Sequence, residues 1–276
     1  MNLLQRMIAE FLAEDVGRGD LTSESIFSDL DTGSARLIAR ESFIVAGAQT
    51  IAAAVFKVQN PAILTEGALA DGTRVLPQME LLRVSGPVVD LLKAERVALN
   101  LLQRLSGIAT LTASFVEAVK GTAVRITDTR KTTPGLRVLE KYAVRVGGGA
   151  NHRYNLADGV LIKDNHIAAC GSIRLAVDKV RRNIPHTIRV EVETDNLDQV
   201  EECLACGVDI IMLDNMSPAM MTQAVQLIKG RALVEASGGV NLATVRAIAA
   251  SGVDIISIGA LTHSAPACDI GMDWSF

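Results

Sequence analysis

The chain has 276 residues, 49% of them hydrophobic, and carries 27 Lys and Arg against 31 Asp and Glu, a formal charge of −4. That length and composition exclude a disordered chain and provide for a sizeable core, in one large α/β domain or two modest ones. The acidic balance argues against nucleic-acid and membrane partners, which draw on broad basic faces, and leaves a small molecule as the expected ligand.

The opening stretch MNLLQRMIAEFLAED reads as a helix. It lacks the basic and unbroken apolar regions of a secretory leader, and no segment of the chain is long enough to span a bilayer, so a cytoplasmic protein is expected. A turn-rich EDVGRGDLT follows, then short alternating strands around ARLIARESFIVAG and TRVLPQMELLRVSG with an apolar helix between them. A long helical pattern begins near Val89 and runs through LLKAERVALNLLQRLSGIATLTASFVEAV, with a break expected near Ser106 and Gly107.

From about residue 120 the pattern changes. VRIT, GVLI, IRVEVE, DIIML, ALVEA and DIISI are short, apolar and β-branched, as buried parallel strands are. Helix-like segments alternate with them: PGLRVLEKYAVRV, SIRLAVDKVRR, LDQVEECLACG, SPAMMTQAVQLIKG and NLATVRAIAASG. Pro218 stands where a helix should start, and Gly207, Gly230 and Gly252 where helices should stop. The last three strands, centred near Met212, Val234 and Ile256, recur at about 22 residues, the spacing of successive β/α units. Polar residues gather where these strands end, which in a barrel is the active-site face.

Charge is distributed unevenly. Between Arg125 and His166 there are eight Lys or Arg against four Asp or Glu, so an anion is expected to bind there. Arg130 and Lys131 end one strand, His152 and Arg153 follow the run GGGAN, and Lys163 ends the next strand. Guanidinium groups grip carboxylate or phosphate bidentately, and lysine acts as a compact point charge. Glu193 and Asp214 end later strands, where they suit Mg²⁺ or sugar hydroxyls; helix capping is an equal reading for Asp214. The loops EASGGV and IGALTHS place small residues where backbone N–H groups and a following helix could cradle phosphate. Of four cysteines, Cys203 and Cys206 form a C-x-x-C inside an apolar helical pattern, read as packing.

Taken together, ERVALNLLQRLSGIAT, DTRKTTPGLRVLEKYAVRVGGGANHR, LIKDNH, DIIMLDN, EASGGV and GVDIISIGALTHS resemble the quinolinate phosphoribosyltransferase family, the carboxylating nicotinate-nucleotide pyrophosphorylases, and EDVGRGDLT extends the likeness over nearly the whole chain. The resemblance implies an α/β fold: an N-terminal α/β sandwich, placed at residues 1–105 with the tail 265–276 packing on it, and a C-terminal incomplete β/α barrel at 106–264. It implies transfer of phosphoribosyl from phosphoribosyl pyrophosphate to quinolinate with loss of CO₂, giving nicotinate mononucleotide for NAD synthesis, with Mg²⁺ as cofactor. It also implies a homodimer, or a higher oligomer, that shares each active site across the interface.

By the same resemblance Arg130, His152, Arg153 and Lys163 line the quinolinate site, joined by Arg96 from the neighbouring subunit. Lys131 faces the phosphoribosyl side, and Glu193 and Asp214 contact ribose hydroxyls or metal. Ser237, Gly238, Gly239, Gly259, Ala260 and His263 form the phosphate cradle. Lys131, Lys163, Glu193 and Asp214 are the residues assigned to catalysis. Departures are confined to Pro77 and the tail CDIGMDW. The alternatives are a fold-sharing paralogue of molybdate-transport operons, a phosphometabolite-binding protein without this activity, and a barrel aldolase using Lys163 as a Schiff-base amine.

Overall fold

The computed structural model describes residues 2–28 and 30–275. The chain forms two compact units, residues 1–111 with 265–276, and Thr112–Ser264.

In the N-terminal unit, α1 (Leu3–Val16) starts with a capping box: the Asn2 side chain accepts from the Gln5 N–H at 2.9 Å while the Gln5 side chain accepts from the Asn2 amide. Gly17, at φ 57°, ends the helix, and Asp20 caps α2 (Leu21–Ile26) by accepting from the N–H groups of Thr22 and Ser23. The motif EDVGRGDLT is thus a helix stop and restart. β1 (Thr32–Ala39), β2 (Phe43–Ile44), α3 (Ala53–Gln59), β3 (Leu64–Glu66), β4 (Arg74–Val75) and β5 (Glu80–Pro87) follow. An antiparallel sheet runs from the C-terminal strand (Ile270–Ser275) through β1 and β5 to β3. Its Leu37, Leu82 and Val84 are buried, as are Ile8 of α1 and Phe56 of α3, giving the core of an α/β sandwich.

α4 (Val88–Ala118) is one uninterrupted helix of 31 residues, so the break expected near Ser106 does not exist, and the two compact units meet inside it, between Leu111 and Thr112. Gly107 serves close packing instead of breaking the helix. A Cβ there would run into the carbonyl oxygen of Pro266 in the returning tail, whose Cys268 N–H bonds to the Gln103 carbonyl at 3.0 Å.

The C-terminal unit alternates strands and helices: β6 (Arg125–Thr127), α5 (Arg137–Val146), β7 (Val160–Ile162), α6 (Asp164–Cys170), α7 (Ile173–Asn183), β8 (Val190–Thr194), α8 (Leu197–Cys206), β9 (Ile210–Asp214), α9 (Pro218–Ile228), β10 (Leu233–Ser237), α10 (Val245–Ala250), β11 (Ile255–Ser257) and α11 (Ala260–His263). All six strands are parallel, in the order β6-β11-β10-β9-β8-β7, an incomplete β/α barrel. Ser217 caps α9 with Pro218 in its first turn, and Gly207 closes α8 in the left-handed conformation. Two helices differ from expectation. α5 begins at Arg137 because Thr133 to Leu136 form a turn, and α6 grows directly from the strand end at Lys163. Cys203 is fully buried and its thiol is pushed up to about 12 by burial, so the C-x-x-C is packing. Among the described residues no helix is long and apolar enough to cross a membrane.

Gly107→Ala should destabilise the protein by about 1–3 kcal/mol, the usual cost of overpacking. Urea unfolding would read this, and unchanged stability would show that the tail yields freely.

Candidate active site

The strand ends of the C-terminal unit enclose a cavity of about 510 Å³. Across the sheet its walls carry Arg130 and Lys131 after β6, Ser237 to Gly239 after β10, Asp214 at the end of β9, Glu193 near the end of β8 and Lys163 after β7. His152 and Arg153 also line it. Ten of the residues expected at the site therefore share one cavity. Arg96 lies in the N-terminal unit, exposed on α4, and does not line it; nor do Gly259, Ala260 and His263. The turn they belong to adjoins Lys131 through Gly259, where a Cβ would sit 3.0 Å from Lys131 Cδ and 3.2 Å from His263 Nε2, and through the Thr262 hydroxyl, which donates to the Lys131 carbonyl at 2.7 Å.

The loop bearing His152 and Arg153 is held by a buried ion pair. Lys141 of α5 and Asp128 after β6 are both fully buried and bonded to one another. Asp128 also accepts from the His152 N–H at 2.9 Å and the Asn151 side chain at 2.6 Å, while Lys141 donates to the His152 carbonyl at 3.0 Å. The Lys141 ammonium lies 5.2 Å from the Tyr154 ring centre, and Ala150 bridges to Thr127 alongside β6. Burial raises the pKa of Asp128 and lowers that of Lys141, and each charge partly offsets the other's shift. Arg137, absent from the expected set, ties the region together by donating to Thr132 Oγ1 and the Tyr154 carbonyl, both at 2.9 Å.

Two arginines face the cavity with capacity to spare. The Nε atoms of Arg130 and Arg153 are buried and have no hydrogen-bond partner, which suits them to an incoming anion. Burial, with the Arg130 charge second, lowers the pKa of Arg153. Lys163 Nζ donates to Glu193 Oε2 at 2.7 Å, so this amine is engaged in an ion pair and is not the isolated, desolvated lysine of a Schiff-base aldolase.

The glycine loop is built for close approach. Gly238 and Gly239 have φ of 88° and 60°, and a Cβ on Gly238 would collide with the Asn215 side chain. The helix-dipole contribution expected here is absent in form: α10 starts only at Val245, and α11 is a single turn. Backbone N–H groups of the loop are what it could offer an anion. Asp214 Oδ2 accepts from the Asn215 side chain at 2.7 Å, and Ser217 is the cap of α9, which removes the capping reading for Asp214. Glu193 and Asp214 each have a second carboxylate oxygen beyond these bonds, so the pair fits a hard divalent cation or sugar hydroxyls. His166 is structural: its Nδ1 accepts from the Lys163 N–H at 2.9 Å.

Two carboxylates in the cavity region have no counterpart in the expected set. Glu191 and Glu235 are buried, and His152 Nε2 stands 3.2 Å from Glu191 Oε2 and 3.5 Å from Glu235 Oε1. Three such ligand atoms within 4.8 Å could in principle bind a metal. However, the Arg153 N–H points at His152 Nδ1 at 2.9 Å, which places the imidazole proton on Nε2 and turns that nitrogen into a donor to the carboxylates. Burial lowers the pKa of His152, but the two carboxylates outweigh it and leave a net rise. Their signal in the sequence was strand alternation: Glu191 shares a face with Glu193, and Glu235 with Ser237.

Sequence profiles match almost the entire chain: quinolinate phosphoribosyl transferase, N-terminal domain, over residues 20–106, and quinolinate phosphoribosyl transferase, C-terminal domain, over residues 108–273. The chain belongs to the quinolinate phosphoribosyltransferase family. A probable carboxylating nicotinate-nucleotide pyrophosphorylase of Bacillus subtilis is 44% identical over 270 residues, covering 98% of this chain and 93% of that protein. A Synechocystis protein of the same name is 44% identical over 273 residues, covering 98% and 92%. Among solved structures, NadC from Streptococcus pyogenes superposes with a TM-score of 0.94 at 42% identity, covering 99% of this chain and 97% of that one. The Ehrlichia chaffeensis nicotinate-nucleotide pyrophosphorylase gives 0.94 at 43%, covering 100% and 99%. The quinolinate phosphoribosyltransferase fold therefore extends through both units.

Lys141→Met should cost about 3–5 kcal/mol, because it leaves Asp128 buried without its partner. Chemical unfolding would measure the loss, and adding Asp128→Asn should recover part of it. A Lys141→Met protein of normal stability would contradict the anchoring role.

Proposed function

We propose that this protein transfers phosphoribosyl from phosphoribosyl pyrophosphate to quinolinate with decarboxylation, yielding nicotinate mononucleotide, pyrophosphate and CO₂ for NAD biosynthesis. The observation that carries this is the pairing, in one cavity, of two arginines with unpartnered buried Nε atoms and a wall of Glu193, Asp214 and the Ser-Gly-Gly loop. The first set suits a dicarboxylate, and the second suits a phosphorylated sugar. Family membership over the whole chain supports the same assignment.

In this reading Arg130 and Arg153 bind the quinolinate carboxylates, with the His152 ring lining the same site, and orient the ring nitrogen toward the anomeric carbon. Glu193 and Asp214 hold the ribose hydroxyls, and Ser237 to Gly239 with the Gly259–His263 turn receive phosphate. The ring nitrogen displaces pyrophosphate through an oxocarbenium-like transition state, whose departing charge Lys131 and Lys163 stabilise. Mg²⁺, held by Glu193 and Asp214 or carried in with the pyrophosphate, would supply further neutralisation of that leaving group. Once the nitrogen is quaternised, its positive charge stabilises the electron pair left on the adjacent ring carbon as CO₂ departs, and a proton from solvent then bonds to that carbon. No covalent enzyme nucleophile is needed, and positioning supplies much of the acceleration.

We further infer a homodimer in which Arg96 of one subunit completes the cavity of the other; its exposure on α4 leaves it accessible to a second copy.

Arg130→Ala and Lys163→Ala should each lower kcat/KM for quinolinate by about 10²–10³-fold with the fold unchanged by circular dichroism. Near-normal turnover in either would remove that residue from the site. Subunit sharing has its own test. Arg96→Ala and Lys163→Ala homodimers should both be inactive, whereas heterodimers of the two regain one intact site. A mixture that stays inactive would place Arg96 outside the partner's cavity.

A further inference from the structure

Glu191 and Glu235 present a shortage of hydrogen-bond donors. They lie on β8 and β10, on either side of β9, with exposures of 4% and 2%. Oε1 of each is buried without a hydrogen-bond partner. The donor facing them is His152 Nε2–H, because His152 Nδ1 already accepts from the Arg153 amide. The surrounding cations are committed elsewhere: Lys141 of α5 donates to Asp128 and the His152 carbonyl, and Arg153 Nη1 donates to the Gly159 carbonyl at 2.7 Å. The Ser257 hydroxyl of β11, 3.5 Å from the Ala236 carbonyl, is the other donor within reach of Glu235. On β9 the residue in register with Glu235 is the apolar Met212. Four carboxylate oxygens thus face one N–H and one hydroxyl, and two buried like charges stand beside one another.

A single added proton resolves both problems, since a neutral carboxyl removes one charge and supplies the missing O–H donor. Glu235 is the better holder than His152, because a proton on Nδ1 would oppose the Arg153 amide. Burial, and after it the Glu191 charge, pushes the Glu235 carboxyl up to about 7, against opposing pulls from His152 and Ser257.

We propose that Glu235, on the cavity wall, is a neutral acid in the ligand-binding state, so that a dicarboxylate dianion binds together with one proton taken up on Glu235. The proposal rests on the reading of the cavity as a dicarboxylate site. The dianion adds negative charge beside Glu235 and raises its proton affinity further, and an ionised Glu235 would repel the ligand from the cavity that Arg130 and Arg153 make attractive. Selectivity for the dianion is then proton-linked.

Calorimetry of quinolinate binding without phosphoribosyl pyrophosphate, in buffers of differing ionisation enthalpy, tests it. Uptake should be close to zero at pH 5.5, about half a proton at pH 7 and about one at pH 8, with Kd rising about tenfold per pH unit above 7. Glu235→Gln should abolish the uptake and flatten Kd. Infrared difference spectra of the unliganded wild-type protein give a second readout that needs no variant: a protonated carboxyl band present at pH 6 and absent at pH 9. Binding without uptake, uptake that persists in Glu235→Gln but disappears in His152→Gln, or no such band at pH 6 would overturn the proposal while leaving the dicarboxylate reading intact. Failure of quinolinate to bind at any pH would overturn both.

Discussion

The buried pair of Lys141 and Asp128 is the interaction on which the site depends. It joins α5 to the end of β6, and every further bond it makes goes to the loop carrying Asn151, His152 and Arg153. An ion pair so deeply buried is not a good source of stability by itself, because desolvation consumes much of its attraction. Its value lies in geometry. With Asp128 accepting the His152 amide and Lys141 donating to the His152 carbonyl, the peptide groups flanking the imidazole are fixed from both sides, and the ring can be aimed at Glu191 and Glu235. The glycines of the preceding run let this loop turn against the barrel, where a Cβ on Gly149 would press on Thr112 and Val144.

Around that anchor the protein separates charge by depth. Cations with unpartnered donors line the cavity, while the buried carboxylates of Glu191 and Glu235 meet the His152 ring and offset them. This is how an acidic protein sustains a locally basic stretch: buried carboxylates from the distant strands β8 and β10 compensate cations contributed by residues 130–153. Lys163 and Glu193, from adjacent strand ends, repeat the arrangement at the cavity's other side as an ion pair at 2.7 Å. Such mixed walls suit a reaction that begins with a dianion and a pyrophosphate and passes through a positively charged sugar.

Much of this was legible from sequence because a parallel β/α unit writes its function at fixed places. Lys163, Glu193, Asp214 and Ser237 each stand where an apolar run ends, so the architecture and the cavity-facing residues emerge together. What was not legible depends on contacts distant in sequence. Ser106 and Gly107 resemble a helix break, yet Gly107 is required by the carbonyl of Pro266, which no local pattern reveals. α6 was missed because KDNH reads as a polar loop, whereas Lys163 and His166 close a helix start. Glu191 and Glu235 were absorbed into runs read as apolar strands, although alternation with Glu193 and Ser237 points them inward. Arg137 looked like one more helix cation, and only the folded loop gives it partners at Thr132 and Tyr154. The contact of Gly259 and Thr262 with Lys131 likewise arises only when β11 lies beside β6.

The central claim is that the basic cavity takes a dicarboxylate and that transfer is coupled to loss of one carboxylate. The most direct measurement supplies phosphoribosyl pyrophosphate and Mg²⁺ with quinolinate labelled in the carboxylate beside the ring nitrogen, and follows labelled CO₂, pyrophosphate and nicotinate mononucleotide. The account predicts equal amounts of all three and no turnover of nicotinate in its place. Pyrophosphate release without CO₂, or turnover of nicotinate but not quinolinate, would contradict it.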